Sequence, residues 1–335
     1  MRFNSRANLD SSRVGDAGGG GGLGGGGLGG SGIGLPHIAG GGGVIGVIVA
    51  IVFFLFQSGI IGGGSGSGSL GSGLNGSMFT GNNGAAAPAL SGNGTFDYST
   101  CKTGADANNS DECALVAVEN SLTDYWSKQP QLAGIFKPET SIVVFHGQVQ
   151  TDGCGNATTD VGPFYCPNPQ THQGSIYIDT AFYDTIFKQL GGNATPFTRA
   201  YVIAHEYGHH IQDLLGTMSR VKTQQGPNSD SVRLELQADC YAGMWAAAAT
   251  TTPDENGQPL IVDLTQQDIQ EAITAAHDVG DDYIQKTMQG GTNPEQWTHG
   301  SSAEREAWFQ AGMHANNDIK GCDTFSSQNL QQPGA

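Results

Sequence analysis

Apolar residues recur at helical spacing in several stretches of the chain and crowd together without a break in one. In residues 197–216, FTRAYVIAHEYGHHIQDLLG, the positions Ala200, Tyr201, Ala204, Gly208, Ile211 and Leu215 follow a 3.6-residue period. Thr195 can cap such a helix, Pro196 suits its first position and Gly216 the residue just past its end. Residues 231–248, SVRLELQADCYAGMWAAA, read as a second helix with Ser231 as the cap. A third is predicted over 111–126, with Ala114, Leu115, Val118, Leu122 and Trp126 on its apolar side. Thr265 and Asp268 form a capping box that opens a long helix over 265–289, and a helix over 301–313 carries Trp308 and Phe309. Ser141–Phe145 and Ser175–Asp179 are rich in β-branched and aromatic residues and read as strands. The pattern is that of an α+β domain, mostly helical with a small sheet.

The uninterrupted run is Val44–Phe56, VIGVIVAIVFFLF, without a charge. An uncharged stretch from 41 to 61 has about the length that spans a ~30 Å hydrocarbon core. Glycine-rich chain flanks it and offers nothing to bury it as a core helix. A cleavable signal peptide would begin nearer the start of the chain and end at a small-x-small site, which is not evident here. The expected organisation is therefore a disordered glycine-rich cytoplasmic tail over 1–40, a transmembrane anchor over 41–61, a flexible Gly/Ser linker over 62–95, a folded domain over 96–325 and a disordered tail over 326–335. Arg2, Arg6 and Arg13 are the positive charges ahead of the span, so the amino terminus is expected in the cytoplasm and the domain outside it, a single-pass membrane protein.

Composition sharpens this division. Of 53 glycines, 32 precede Asp97, and the net charge of −17 splits into +1 before Asp97 and −18 from there on. An acidic domain with no basic run excludes nucleic acid as a partner, because that binding rests on Lys and Arg against phosphate. All six cysteines follow the apolar run. An even number there suggests three disulfides formed in an oxidising compartment. Cys101 with Cys113 and Cys154 with Cys166 are near in sequence, which leaves Cys240 with Cys322; six cysteines nonetheless allow fifteen connectivities.

Inside the first helix lies His205-Glu206-Tyr207-Gly208-His209, an H-E-x-x-H pattern. Residues four apart stand one turn above each other, so both imidazoles can reach one Zn²⁺, while Glu206 is rotated about 100° from His205 and can act on a water beside the ion. The next helix offers Glu235 as third ligand, leaving a fourth position open. Asp239, one turn on, can accept the free N–H of a ligand histidine. His210 points away from the pair and has no expected ligand role.

With these residues in place the chain resembles the bacterial neutral zinc metallopeptidase family of YpfJ-like proteins. The resemblance rests on GPFYCP (162–167), IYID (176–179), AHEYGHHIQ (204–212), SVRLELQADCYAGMW (231–245) and the segment THGSSAEREAWF (298–309). H-E-x-x-H followed by E-x-x-x-D is also the gluzincin arrangement of the CAAX prenyl endopeptidases. The resemblance implies a zincin-like fold, Glu235 as the ligand and Asp239 as support for a histidine. It also implies that 175–179 is the edge strand beside the zinc helix. The separation of His299 from Arg305 is similar to one in the prenyl endopeptidases, where a proline stands in place of Gly300. It suggests His299 as a donor to the reaction's oxyanion, or Arg305 as a positioner of Glu235.

The function expected is a membrane-anchored zinc peptidase acting on peptides or proteins, with Glu206 as general base. Two alternatives remain from the sequence: a zinc-stabilised surface binding or scaffold protein with a vestigial site, and a zinc hydrolase of a non-peptide amide.

Overall fold

The computed structural model describes residues 1–19, 96–192 and 194–334. The helix over Pro196–Leu214, here α3, is where the pattern placed it. Thr195 Oγ1 accepts from the Thr198 amide, Pro196 occupies the first turn, and Gly216 follows in the left-handed conformation at φ 70°. Before it come α1 (Asp111–Ser127) and α2 (Ala181–Gln189). After it come α4 (Asp230–Ala248), α5 (Gln266–Asp278), α6 (Asp281–Gln289) and α7 (Ser302–Met313). The cap of α4 is Ser229 rather than Ser231. The single helix expected over 265–289 is two. It breaks at Gly280, where a side chain would collide with Ser302, so α6 starts afresh against the amino-terminal end of α7. The capping boxes Thr265/Asp268 and Ser301/Glu304 both form.

The main sheet has four strands in the order β2 (Val14–Gly19), β3 (Ser141–His146), β7 (Ser175–Asp179), β6 (Phe164–Cys166). The first three are parallel and β6 is antiparallel to β7. Two small pairs complete the strands: β1 (Arg2–Phe3) with β8 (Ile261–Asp263), and β4 (Gln148–Gln150) with β5 (Asn156–Thr158). The expectation that 175–179 is the edge strand is corrected: β7 is interior, and the edge nearest the helix of the H-E-x-x-H motif is β6, three residues long.

Two segments expected to be disordered are folded. Residues 1–19 contribute β1 and β2, with Phe3, Ala7 and Val14 buried. A glycine-rich segment still carries a full set of backbone donors and acceptors with which to pair, which a reading of side chains does not reveal. At the other end Leu330 is buried, its carbonyl accepts from Trp308 Nε1 at 2.8 Å, and Arg233 reaches the carbonyls of Thr324 and Ser327. The apolar run, and with it the expected anchor over 41–61 and linker over 62–95, lies outside the described residues. No helix among the described residues is long and apolar enough to cross a membrane.

All six cysteines are paired, Cys101–Cys113, Cys154–Cys166 and Cys240–Cys322. The last ties α4 to the carboxy-terminal segment. One core runs through the molecule, and α3 sits within it between α1, α4 and the sheet.

Candidate metal centre and cleft

Close approach of three helices builds the site. Gly208 lies opposite Ala238, and a methyl group at Gly208 would stand 3.1 Å from the Ala238 backbone. The two small residues let α3 and α4 nearly touch, which brings Glu235 and Asp239 against His205 and His209. On the far side of α4, Gly312 of α7 approaches the Cys240 carbonyl so closely that any side chain there would overlap it. That contact seats Arg305 of α7 behind the same face.

His205, His209 and Glu235 each present a donor atom, all within 4.8 Å of one another. His205 Nε2 is 3.1 Å from Glu235 Oε2, and His209 Nε2 is 3.4 Å from Glu235 Oε1. Two ligands each 2.0–2.1 Å from a tetrahedral Zn²⁺ stand about 3.3 Å apart, so the spacing fits the ion. The electrostatics fit as well. Burial pushes His205 down, but Asp239 and Glu235 outweigh it and hold the imidazole at about 10. Burial likewise lowers His209, and Glu235 reverses the effect. Burial raises Glu235, yet the facing histidines, His209 first, hold it well below the usual carboxylate range. A pocket that retains positive charge against its own desolvation is suited to a cation.

Both Nδ1 atoms are engaged elsewhere, so both Nε2 atoms face Glu235, where an ion would take the place of a proton. His205 Nδ1 donates to Asp239 Oδ1 at 2.8 Å. Asp239, fully buried, also accepts from Tyr201 Oη at 2.6 Å and from Arg305 Nε and Nη2 at 2.8 and 3.0 Å. Burial raises its pKa, but Arg305 and His205 bring it to about 2. Arg305 thus holds Asp239, and the expectation that it positions Glu235 is corrected to that extent. His209 Nδ1 donates to Gln212 Oε1 at 2.8 Å. The Gln212 amide is fixed by its other end, because Nε2 donates to the Leu234 carbonyl at 2.7 Å and reaches Gln237 Oε1 at 3.1 Å. Gln237 Nε2 in turn donates to the Cys322 carbonyl at 2.9 Å. Sequence reasoning missed Gln212 and Tyr201. The signal for Gln212 was its place three residues after His209 on the same helix.

Glu206 is buried beside both histidines and shares the cleft with Tyr165 of β6; burial is the largest effect on its carboxyl and raises its pKa. His299 lines the same cleft. Asp281 at the start of α6 holds its loop, with Oδ2 accepting the amides of Thr298, His299 and Gly300 at 2.7, 2.7 and 3.1 Å. The remaining wall is apolar: Val161, Phe182, Phe187, Val202, Leu234 and Val279. His210 is turned away onto the Lys137 carbonyl at 2.7 Å, and burial lowers it to about 4.

A family model described as "Putative neutral zinc metallopeptidase" matches residues 1–325, a span that includes the amino-terminal strands. Among curated proteins, an uncharacterized protein of Mycobacterium tuberculosis (strain H37Rv) is 48% identical over 237 residues, 70% of this chain and 78% of its own length. An uncharacterized Escherichia coli K12 protein, YpfJ, is 37% identical over 225 residues, 65% of this chain and 73% of its own length. No solved structure matches.

Proposed function

This chain belongs to the neutral zinc metallopeptidase family, and we propose that it hydrolyses peptide bonds with zinc held by His205, His209 and Glu235. The bound ion supplies Lewis acidity to the scissile carbonyl and lowers the pKa of water toward about 7. Glu206 takes the proton of the attacking water and returns it to the leaving amine. Its burial, which raises its pKa, suits a carboxylate that must both accept and release a proton. His299 donates to the carbonyl oxygen as negative charge develops there. The outer edge of β6 receives the extended substrate by strand addition, and the wall of Phe182, Phe187, Val202 and Val279 takes an apolar side chain next to the scissile bond. Three disulfides suit an oxidising compartment, and we place the domain outside the cytoplasm.

The observation that carries this reading is Glu206 lying buried beside two imidazoles whose outer nitrogens are both committed to oriented acceptors. A closed structural zinc site has four protein ligands and no use for such a base. Glu206→Gln is expected to keep stoichiometric zinc and lose hydrolysis of a peptide library. Cleavage at the wild-type rate by that variant would overturn the mechanism.

A further inference from the structure

The amino-terminal segment is part of the domain's interior as well as its sheet. β2 lies parallel to β3 with Val14 opposite Ile142, Gly15 opposite Val143 and Asp16 opposite Val144. Asn120 clamps the Asp10 backbone, accepting its amide at 2.7 Å and donating to its carbonyl at 2.8 Å; Asn108 does the same for Phe3 at 2.9 Å each.

Two features of the later chain make sense only with the segment seated. Glu119 and Glu139 are buried side by side with no side-chain exposure. Arg13 Nε stands 2.8 Å from Glu119 Oε1 and 3.9 Å from Glu139 Oε1. Burial and the neighbouring Glu119 hold the Glu139 carboxyl well above the usual carboxylate range. No other ion pair reaches either group among the described residues, so removing Arg13 would leave Glu119 buried without its counter-charge. Gly104 is the second feature: a side chain there would stand 2.0 Å from the Asn4 carbonyl oxygen, so the position is kept bare for the segment.

Strands cannot hydrogen-bond across a bilayer. We infer that residues 1–19 and 96–334 lie on the same side of any membrane the chain meets. The single-pass arrangement expected from the sequence, which puts these two parts on opposite sides, is incompatible with the shared sheet. The single-pass orientation expected from the sequence rested on Arg2, Arg6 and Arg13 staying in the cytoplasm. Arg13 instead neutralises the interior of the domain, and Arg2 stands 3.8 Å from Asp263 on β8.

The inference does not depend on the zinc reading, and its test needs no activity. Ser5 and Gln328 are both exposed, and all six native cysteines are paired, so each can carry a single reactive thiol. Ser5→Cys and Gln328→Cys in the full chain are treated with a membrane-impermeant maleimide in intact and in lysed cells. The two positions are expected to behave alike, both labelled or both protected before lysis. Labelling of Gln328→Cys in intact cells with Ser5→Cys reached only after lysis would overturn the inference. As a second measurement, a full chain carrying Val14→Cys and Ile142→Cys is expected to yield a peptide linked through residues 14 and 142 by mass spectrometry. Its absence, with the three native disulfides intact, would count against the docked strand in cells.

Discussion

Replacing Asp239 by asparagine tests how the metal centre is held. The change keeps the shape and removes the charge. Asp239 accepts from His205, Tyr201 and twice from Arg305, all donors. An amide has one acceptor oxygen, so its NH₂ must face a donor on one side. Arg305, only 4% exposed, becomes a buried cation without its anion. Breaking a buried pair in this way costs about 3–5 kcal/mol, which for a domain of this size lowers the melting temperature by on the order of 10 °C. His205 also loses an anionic acceptor, and loss of such a partner weakens metal binding about 10- to 100-fold. Calorimetry of zinc-free protein reads the first effect, and competition with a chromophoric chelator reads the second. Adding Arg305→Met to Asp239→Asn should recover much of the stability and none of the zinc affinity. A single variant that melts within the error of wild type and binds zinc equally would refute the argument. The sign with pH follows from the same group. Its folded pKa of about 2 lies below the ordinary 3.8, so its stabilisation is complete above pH ~4 and is lost as pH falls toward 2.

Other outcomes can be checked beside this one. Gln212→Ala, which frees His209 Nδ1, is expected to lower zinc affinity about tenfold, read by the same competition. His299→Ala is expected to reduce kcat about 10²- to 10³-fold while zinc content stays stoichiometric; an unchanged kcat would remove His299 from the reaction. Gly104→Ala has a diagnostic sign. With the amino-terminal segment seated, the methyl group collides with Asn4 and costs about 1–3 kcal/mol, whereas without the segment the same change would stabilise by about 0.4–1 kcal/mol. A rise in melting temperature would mean that the strand is not there.

The grouping of His205, His209 and Glu235 was largely legible in the sequence because helices advertise themselves. Thr195, Pro196 and Gly216 bound the helix that carries both histidines, and the four-residue spacing that aligns His205 with His209 also aligns Glu235 with Asp239. The cysteine pairs are those that nearness in sequence suggested, although position alone left fifteen connectivities open. What stayed hidden depends on partners distant in sequence or on stretches too short to show a period. β6 is three residues, and nothing in Phe-Tyr-Cys marks an edge. Tyr201 looked like another apolar position on its helix until Asp239 was placed opposite its hydroxyl. β2 reads Val-Gly-Asp-Ala-Gly-Gly, and its partner β3 begins at Ser141, far along the chain.

That last pairing changes what counts as a whole protein. Judged by composition, a soluble piece would begin near Phe96, after the glycine-rich stretch. Such a piece would lack its first strand. The backbone of β3 would then face solvent along one side, an open template for association between copies, and Glu119 and Glu139 would be sealed inside without Arg13. Poor yield or aggregation of that fragment would reflect an amputated sheet and say nothing about the proposed activity. In sequence terms, residues 20–95 are an insertion between the first strand of the main sheet and the rest of the domain, and a shortened version should remove the insertion while keeping both of its ends.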